Sequence, residues 1–75
     1  MPKYVKNKEE LAEKIRLARE HADLSQKQVA DHLFKERSTY TYYELGITVP
    51  SFFDLLKLAD IFGVSFESLI SENKN

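Results

Sequence analysis

Apolar residues recur along this chain at spacings of three and four, the period of a helix. Leu11, Ile15, Ala18 and Ala22 share one face of a helix predicted over residues 8–22. Val29, Ala30 and Leu33 form the inner side of a short helix over 26–33. Tyr40 and Tyr43 point inward from a third helix over 36–45. Phe52, Leu55, Leu56, Ala59 and Phe62 make a stripe on a fourth helix, ended by Gly63. Phe66, Leu69 and Ile70 mark a short fifth.

Polar punctuation agrees with this division. Asn7 with Glu10, and Ser25 with Gln28, have the spacing of reciprocal capping boxes. Ser51 with Asp54 is box-like, and Ser65 precedes the last helix. Gly46 can take the positive φ that closes a helix. No stretch alternates with period two, so no sheet is predicted. The expected fold is all-α, five helices with very short connections. Residues 1–7 lack periodicity and read as a flexible arm, 8–71 as the folded domain and 72–75 as a disordered tail.

Composition narrows the function. A chain of 75 residues holds one domain, and 43% apolar residues suit an ordinary globular core. With no cysteine, disulfides and thiolate metal sites are excluded. His21 and His32 lie on different predicted helices without a second ligand at metal spacing, so no metal is expected. Nothing orders a catalytic triad, and no cofactor or small-molecule ligand is implied. No apolar run reaches the ~18 residues of a membrane span, and no secretory signal opens the chain. A cytoplasmic location is the expectation.

Net charge is −1, whereas nucleic-acid binders are usually basic. Lys and Arg outnumber Asp and Glu nine to seven in residues 1–37, but fall two to five in 38–75. Any nucleic-acid surface must therefore be local. Residues 26–45 supply a candidate: a short helix, a turn and a second helix that is apolar inside and hydrogen-bonding outside. A helix of this kind fits the major groove of duplex DNA. Arg37, Ser38, Thr41 and Tyr42 point away from the inner face that holds Tyr40 and Tyr43.

The run LSQKQVADHL, then RSTYTYYELG, then VPSFFDLLKLADIFGVSFESLI resembles the lambda-repressor/Cro-type (XRE family) helix-turn-helix. The resemblance spans roughly residues 9–70 and implies a lambda-repressor-like, sequence-specific DNA-binding regulator of phage or bacterial repressor type. It implies that Arg37, Ser38, Thr41 and Tyr42 read bases, that Gln26 and Thr39 meet phosphates, and that Arg19 and Glu44 form a structural ion pair. It also implies binding as a dimer. Ile47, Val49, Phe66 and Ile70 are the candidate contacts of a weak homodimer.

Three positions depart from the family pattern. Asp23 and Phe34 stand where glycine is frequent, and Glu36 where a Ser or Thr cap is usual. A left-handed Phe is costly, so the turn is expected either to change shape or to bury the ring. The acidic second half and Glu36 define the alternative: a protein-interaction module or antitoxin-like partner that keeps the fold with weak or no DNA binding.

Overall fold

Polar residues at the helix boundaries decide where four of the helices begin. The computed structural model describes residues 3–72 and contains α1 (Lys8–His21), α2 (Gln26–Leu33), α3 (Arg37–Leu45), α4 (Phe52–Phe62) and α5 (Phe66–Ile70). The side chains of Asn7, Ser25, Ser51 and Ser65 each accept a hydrogen bond from the backbone N–H three residues on. Each thereby satisfies one donor that a first helical turn leaves open. Only α2 completes the expected box, with Ser25 N–H donating to Gln28 Oε1 at 2.8 Å. At α1 the Glu10 carboxylate takes the N–H of Lys6 instead, at 3.0 Å. Glu36 precedes α3 without a side-chain cap.

Four helices end by one device. Asp23, Phe34, Gly46 and Gly63 have φ of 59°, 57°, 74° and 72°. After each, the next N–H returns to a carbonyl five residues back: Leu24 to Arg19, Lys35 to Ala30, Ile47 to Tyr42 and Val64 to Ala59. This closure satisfies carbonyls that the last turn leaves unpaired. Phe34 does not follow either expectation for it. The turn keeps its left-handed shape, and the ring is 92% exposed. The backbone bonds that close α2 fix the turn whatever the side chain, so the strain remains without compensating burial.

Ile15, Val29, Tyr40, Leu58 and Leu69 are fully buried at the centre. Around them α1 packs on α3, α4 and α5, while α2 packs on α3 and α4. The inner faces expected for α2 and α3 are observed, and Ala12 joins that of α1. The expected stripe on α4 is corrected. Leu58, Ala59 and Phe62 face inward with Leu55 beside them, whereas Phe52 and Leu56 are exposed. The segment FFDLLKLADIF is apolar on nearly every side, so spacing permits more than one stripe. The positions of α1, α2 and α5 select the one that is buried.

Part of the supposed N-terminal arm is also corrected. Val5 N–H donates to Ile70 O, and Glu72 N–H donates to Lys3 O, both at 2.8 Å. Tyr4 and Ser71 thus form an isolated antiparallel bridge, and Tyr4 Oη donates to Glu67 at 3.2 Å. Lys6 Nζ lies 3.7 Å from Glu72. Backbone groups left open after α5 pair with those before α1. Residues 1–2 and 73–75, within the predicted arm and tail, lie outside the described residues.

Replacing Phe34 by glycine removes left-handed strain of about 1–2 kcal/mol, partly offset by the greater freedom of glycine in the unfolded chain. Phe34→Gly should therefore raise stability by roughly 0.5–1 kcal/mol, seen as a higher urea midpoint at unchanged slope. A lower midpoint would mean that the ring contributes to folding.

Candidate nucleic-acid interface

The outer surface of α3 depends on what its inner surface grips. Tyr40 and Tyr43 fill the core with rings edge to face, 6.2 Å between centroids. Glu44 sits with them, its side chain only 3% exposed. Its carboxylate is surrounded by donors. Arg19 Nε donates to Oε2 at 2.6 Å and Arg19 Nη2 to Oε1 at 3.1 Å. Gln26 Nε2 donates to Oε1 at 3.0 Å, and the Tyr40 hydroxyl donates to Oε2. Arg19 Nη1 also donates to the carbonyl of Leu24, at 2.9 Å. The expected pair of Arg19 and Glu44 is therefore present and bidentate, and it joins α1, α2 and α3 at one point.

Burial by itself would push the Glu44 carboxyl up. Hydrogen bonds from Arg19, Tyr40 and Gln26, together with the Arg19 charge, outweigh burial and hold it below the usual range. The Glu44 hydrogen bond holds Arg19 above its ordinary value against the opposing effect of burial. Burial first, then the bond to Glu44, pushes Tyr40 well up. No buried side-chain nitrogen or oxygen among the described residues lacks a partner.

A second cluster, not anticipated from the sequence, fixes the turn. Asp54 is buried in the first turn of α4, accepts from the Tyr43 hydroxyl at 2.9 Å and lies 3.5 Å from Lys35 Nζ. The residue leaving the α2–α3 turn is thereby tied to α4. Burial and the Asp54 bond push Tyr43 up to about 12. The legible signal was an inward tyrosine on α3 and an acid at the third position of α4, but nothing local joins them.

Arg37, Ser38, Thr41 and Tyr42 line one shallow concavity of about 270 Å³ on the outer side of α3. Arg37 and Ser38 are exposed, Tyr42 is nearly half exposed and Thr41 is half-buried. Arg37 makes no ion pair among the described residues, while Lys27 on α2 is paired with Asp31 at 3.1 Å. Thr39 is half-buried and does not line the concavity. Gln26 does more than stand at the start of α2. Its Oε1 accepts from the Thr41 hydroxyl at 2.7 Å, so its amide bridges Glu44 to the outer face.

The dimer candidates divide. Ile47 and Val49 are exposed, whereas Phe66 and Ile70 are half-buried against the core. The sequence pattern missed their exposed neighbours Phe52, Phe53 and Leu56. The Phe52 ring lies 5.7 Å from Phe53 and 5.4 Å from Phe66. Among the described residues, no group of three or more His, Asp or Glu could hold a metal ion, and no helix is long and apolar enough to cross a membrane.

A family model described as a helix-turn-helix domain matches residues 10–71. The chain belongs to the helix-turn-helix family. The lambda-repressor/Cro-type resemblance read from its motifs agrees with this membership and with the five-helix fold. A curated helix-turn-helix relative in Bacillus subtilis (strain 168), named uncharacterized HTH-type transcriptional regulator YqaE, is 33% identical over 64 residues, covering 85% of this chain. The chain spans 55% of that relative's length. Among solved structures, the restriction-modification controller protein C.AhdI from Aeromonas hydrophila superposes with a TM-score of 0.77 at 26% identity, over 83% of this chain and 94% of its own. The hypothetical transcription factor NHTF from Neisseria gives 0.80 at 22% identity, over 89% and 77%, a likeness of fold.

The clusters that hold this helix-turn-helix predict a two-sided pH profile. Glu44 has its carboxyl lowered from 4.5 in the fold. Its contribution is present above that ordinary value and lost as pH falls through the lowered one. Tyr43 is raised from 10.0 to about 12, so its contribution is present below 10 and lost as pH climbs toward 12. Urea midpoints measured across this range should fall at both ends, and Tyr43→Phe should lessen the alkaline fall, leaving the part due to Tyr40. A midpoint independent of pH at the acid end would contradict the Glu44 cluster.

Proposed function

We propose that this chain is a sequence-specific DNA-binding transcriptional regulator of repressor type, with α3 entering the major groove of duplex DNA. The observation that carries the reading is the meeting of Arg37, Ser38, Thr41 and Tyr42 on one outer surface of a helix whose inner surface is locked. An unpaired guanidinium suits the O6 and N7 acceptors of guanine, which it can engage with two hydrogen bonds. The Bacillus relative, named as a transcriptional regulator, supports a regulatory role.

Phosphate contacts flank these readers in the same scheme. The N–H of Gln26 lies at the first turn of α2, where the helix dipole favours an anion. One hydrogen of its Nε2 also remains beyond the one given to Glu44. Thr39 offers a hydroxyl from the flank of α3.

A homodimer fits the apolar surface. Ile47, Val49, Phe52, Phe53 and Leu56 form a run of exposed large side chains from the α3–α4 loop into α4, with Phe53 72% exposed. Burying them in a second copy removes apolar area from water. The Phe66 ring meets that surface at Phe52, and Ile70 packs on the core.

One observation favours the alternative of a protein-interaction module. Lys27 and Lys35 are spent on Asp31 and Asp54, and Glu36 stands exposed beside Arg37. Phosphate attraction therefore rests on few free cations.

Selection of bound duplexes from a random library tests the two readings together. The DNA-binding reading expects a defined site made of two half-sites about one helical turn, ~34–36 Å, apart. Arg37→Ala should cost roughly 1–3 kcal/mol and relax one position in each half. Failure to retain any duplex at micromolar protein and low salt would favour the interaction module, and an unaltered site for Arg37→Ala would remove Arg37 from the readers.

A further inference from the structure

The direction of each proton in the chain running from Glu44 to Thr41 can be worked out from the donors and acceptors alone. Glu44 faces the Arg19 guanidinium through two hydrogen bonds. A carboxylate held this way is ionised and has no proton to give. The Gln26 atom against it, 3.0 Å from Oε1, must therefore be the donor Nε2. Rotating the amide by half a turn would set its carbonyl oxygen against a carboxylate oxygen, two acceptors in contact within a buried site. With Nε2 committed to Glu44, the carbonyl Oε1 faces Thr41. The atom 2.7 Å from it is Thr41 Oγ1, and a carbonyl can only accept. The single proton of the Thr41 hydroxyl is therefore pinned inward.

A threonine hydroxyl has one proton and two lone pairs. On most helix surfaces it rotates to donate or accept as a partner requires. Here the outward side of Thr41 retains lone pairs and a methyl group, but no donor. Thr41 nonetheless lines the surface concavity with Arg37, Ser38 and Tyr42. In the major groove, adenine and cytosine present exocyclic amino groups, while guanine and thymine present acceptors on their own strand.

We propose that Gln26 is a positioning residue that makes Thr41 an acceptor-only reader, selecting adenine or cytosine and rejecting guanine or thymine at the base it faces. The proposal rests on the DNA-binding reading above and deepens it. Specificity at that base is then fixed by the ion pair in the core, because Glu44 sets the amide and the amide sets the hydroxyl. Arg37 reads in the opposite sense. It has donors only, so the two residues divide the acceptor-bearing and donor-bearing bases between them.

The test compares base profiles, not affinities alone, for duplexes selected by the wild-type chain, Gln26→Met and Thr41→Val. Folding of each variant is checked by its circular dichroism. In the wild type, one position should favour adenine or cytosine by about fivefold, the scale of one hydrogen bond. Gln26→Met frees the Thr41 proton, so guanine and thymine should come within about twofold at that position. Thr41→Val lacks the hydroxyl and should lose the same preference. The position read by Arg37 should stay unchanged in both variants. A merely structural role for Gln26 would lower affinity for all sequences and leave every base preference in place, and that result overturns the proposal, as does an unchanged profile for Thr41→Val. A wild-type chain that selects no sequence overturns the DNA-binding reading and this one with it. A defined wild-type site that Gln26→Met leaves unaltered overturns this one alone.

Discussion

A carboxylate almost out of reach of water, between three helices, has to be surrounded by donors or it destabilises the fold that contains it. Glu44 meets that requirement with Arg19 from α1, Gln26 from α2 and Tyr40 from its own helix. The geometry follows from the chemistry. The bidentate contact fixes the guanidinium plane against α3, and the amide fixes the first turn of α2. The angle between α2 and α3 is thus held by a polar joint that meets the core through the fully buried Tyr40. Such a joint adds direction to a small hydrophobic core, which by itself is not directional. It also links the interior to the outer face of α3 through Thr41.

The remaining features divide between support and strain. Asp54 ties the turn residue Lys35 and the core residue Tyr43 to α4, so the entry to α3 is held as well as its middle. Against this, the turn contains a left-handed phenylalanine exposed to solvent. Residues held at such conformational cost cluster where binding occurs. Phe34 lies three positions before Arg37 in the chain. The apolar run from Ile47 to Leu56 is a second surface left open by the fold, and it lies on the loop and helix that follow α3.

Much of the fold was legible because the relevant signals are local. A Ser or Asn followed three residues later by a suitable partner places a helix start within a residue, and Gly46 and Gly63 place two ends. The inner faces of α2 and α3 were legible because their outer faces are polar. The face of α4 was not, since Phe52, Phe53, Leu56 and Leu58 offer competing stripes that only tertiary neighbours can rank. Phe34 departs from the expectation because backbone closure of α2 outweighs the preference of the side chain. The pairing of residues 3–5 with 70–72 joins the two ends of the chain, and no local pattern announces it. At the candidate site, the residues of α3 were identifiable by their side of the helix. The inward commitment of Gln26 and Thr41 was not, because it depends on which atoms of three helices meet at Glu44.

That meeting point can be probed by a double-mutant cycle on folding stability, using Arg19→Met, Glu44→Gln and the two combined. If the carboxylate and guanidinium act as one buried unit, the second substitution costs far less once the first is made, and the coupling reaches about 2 kcal/mol. Additive losses, with coupling near zero, would show that α1 and α3 are held by packing alone and that Glu44 does not orient α3.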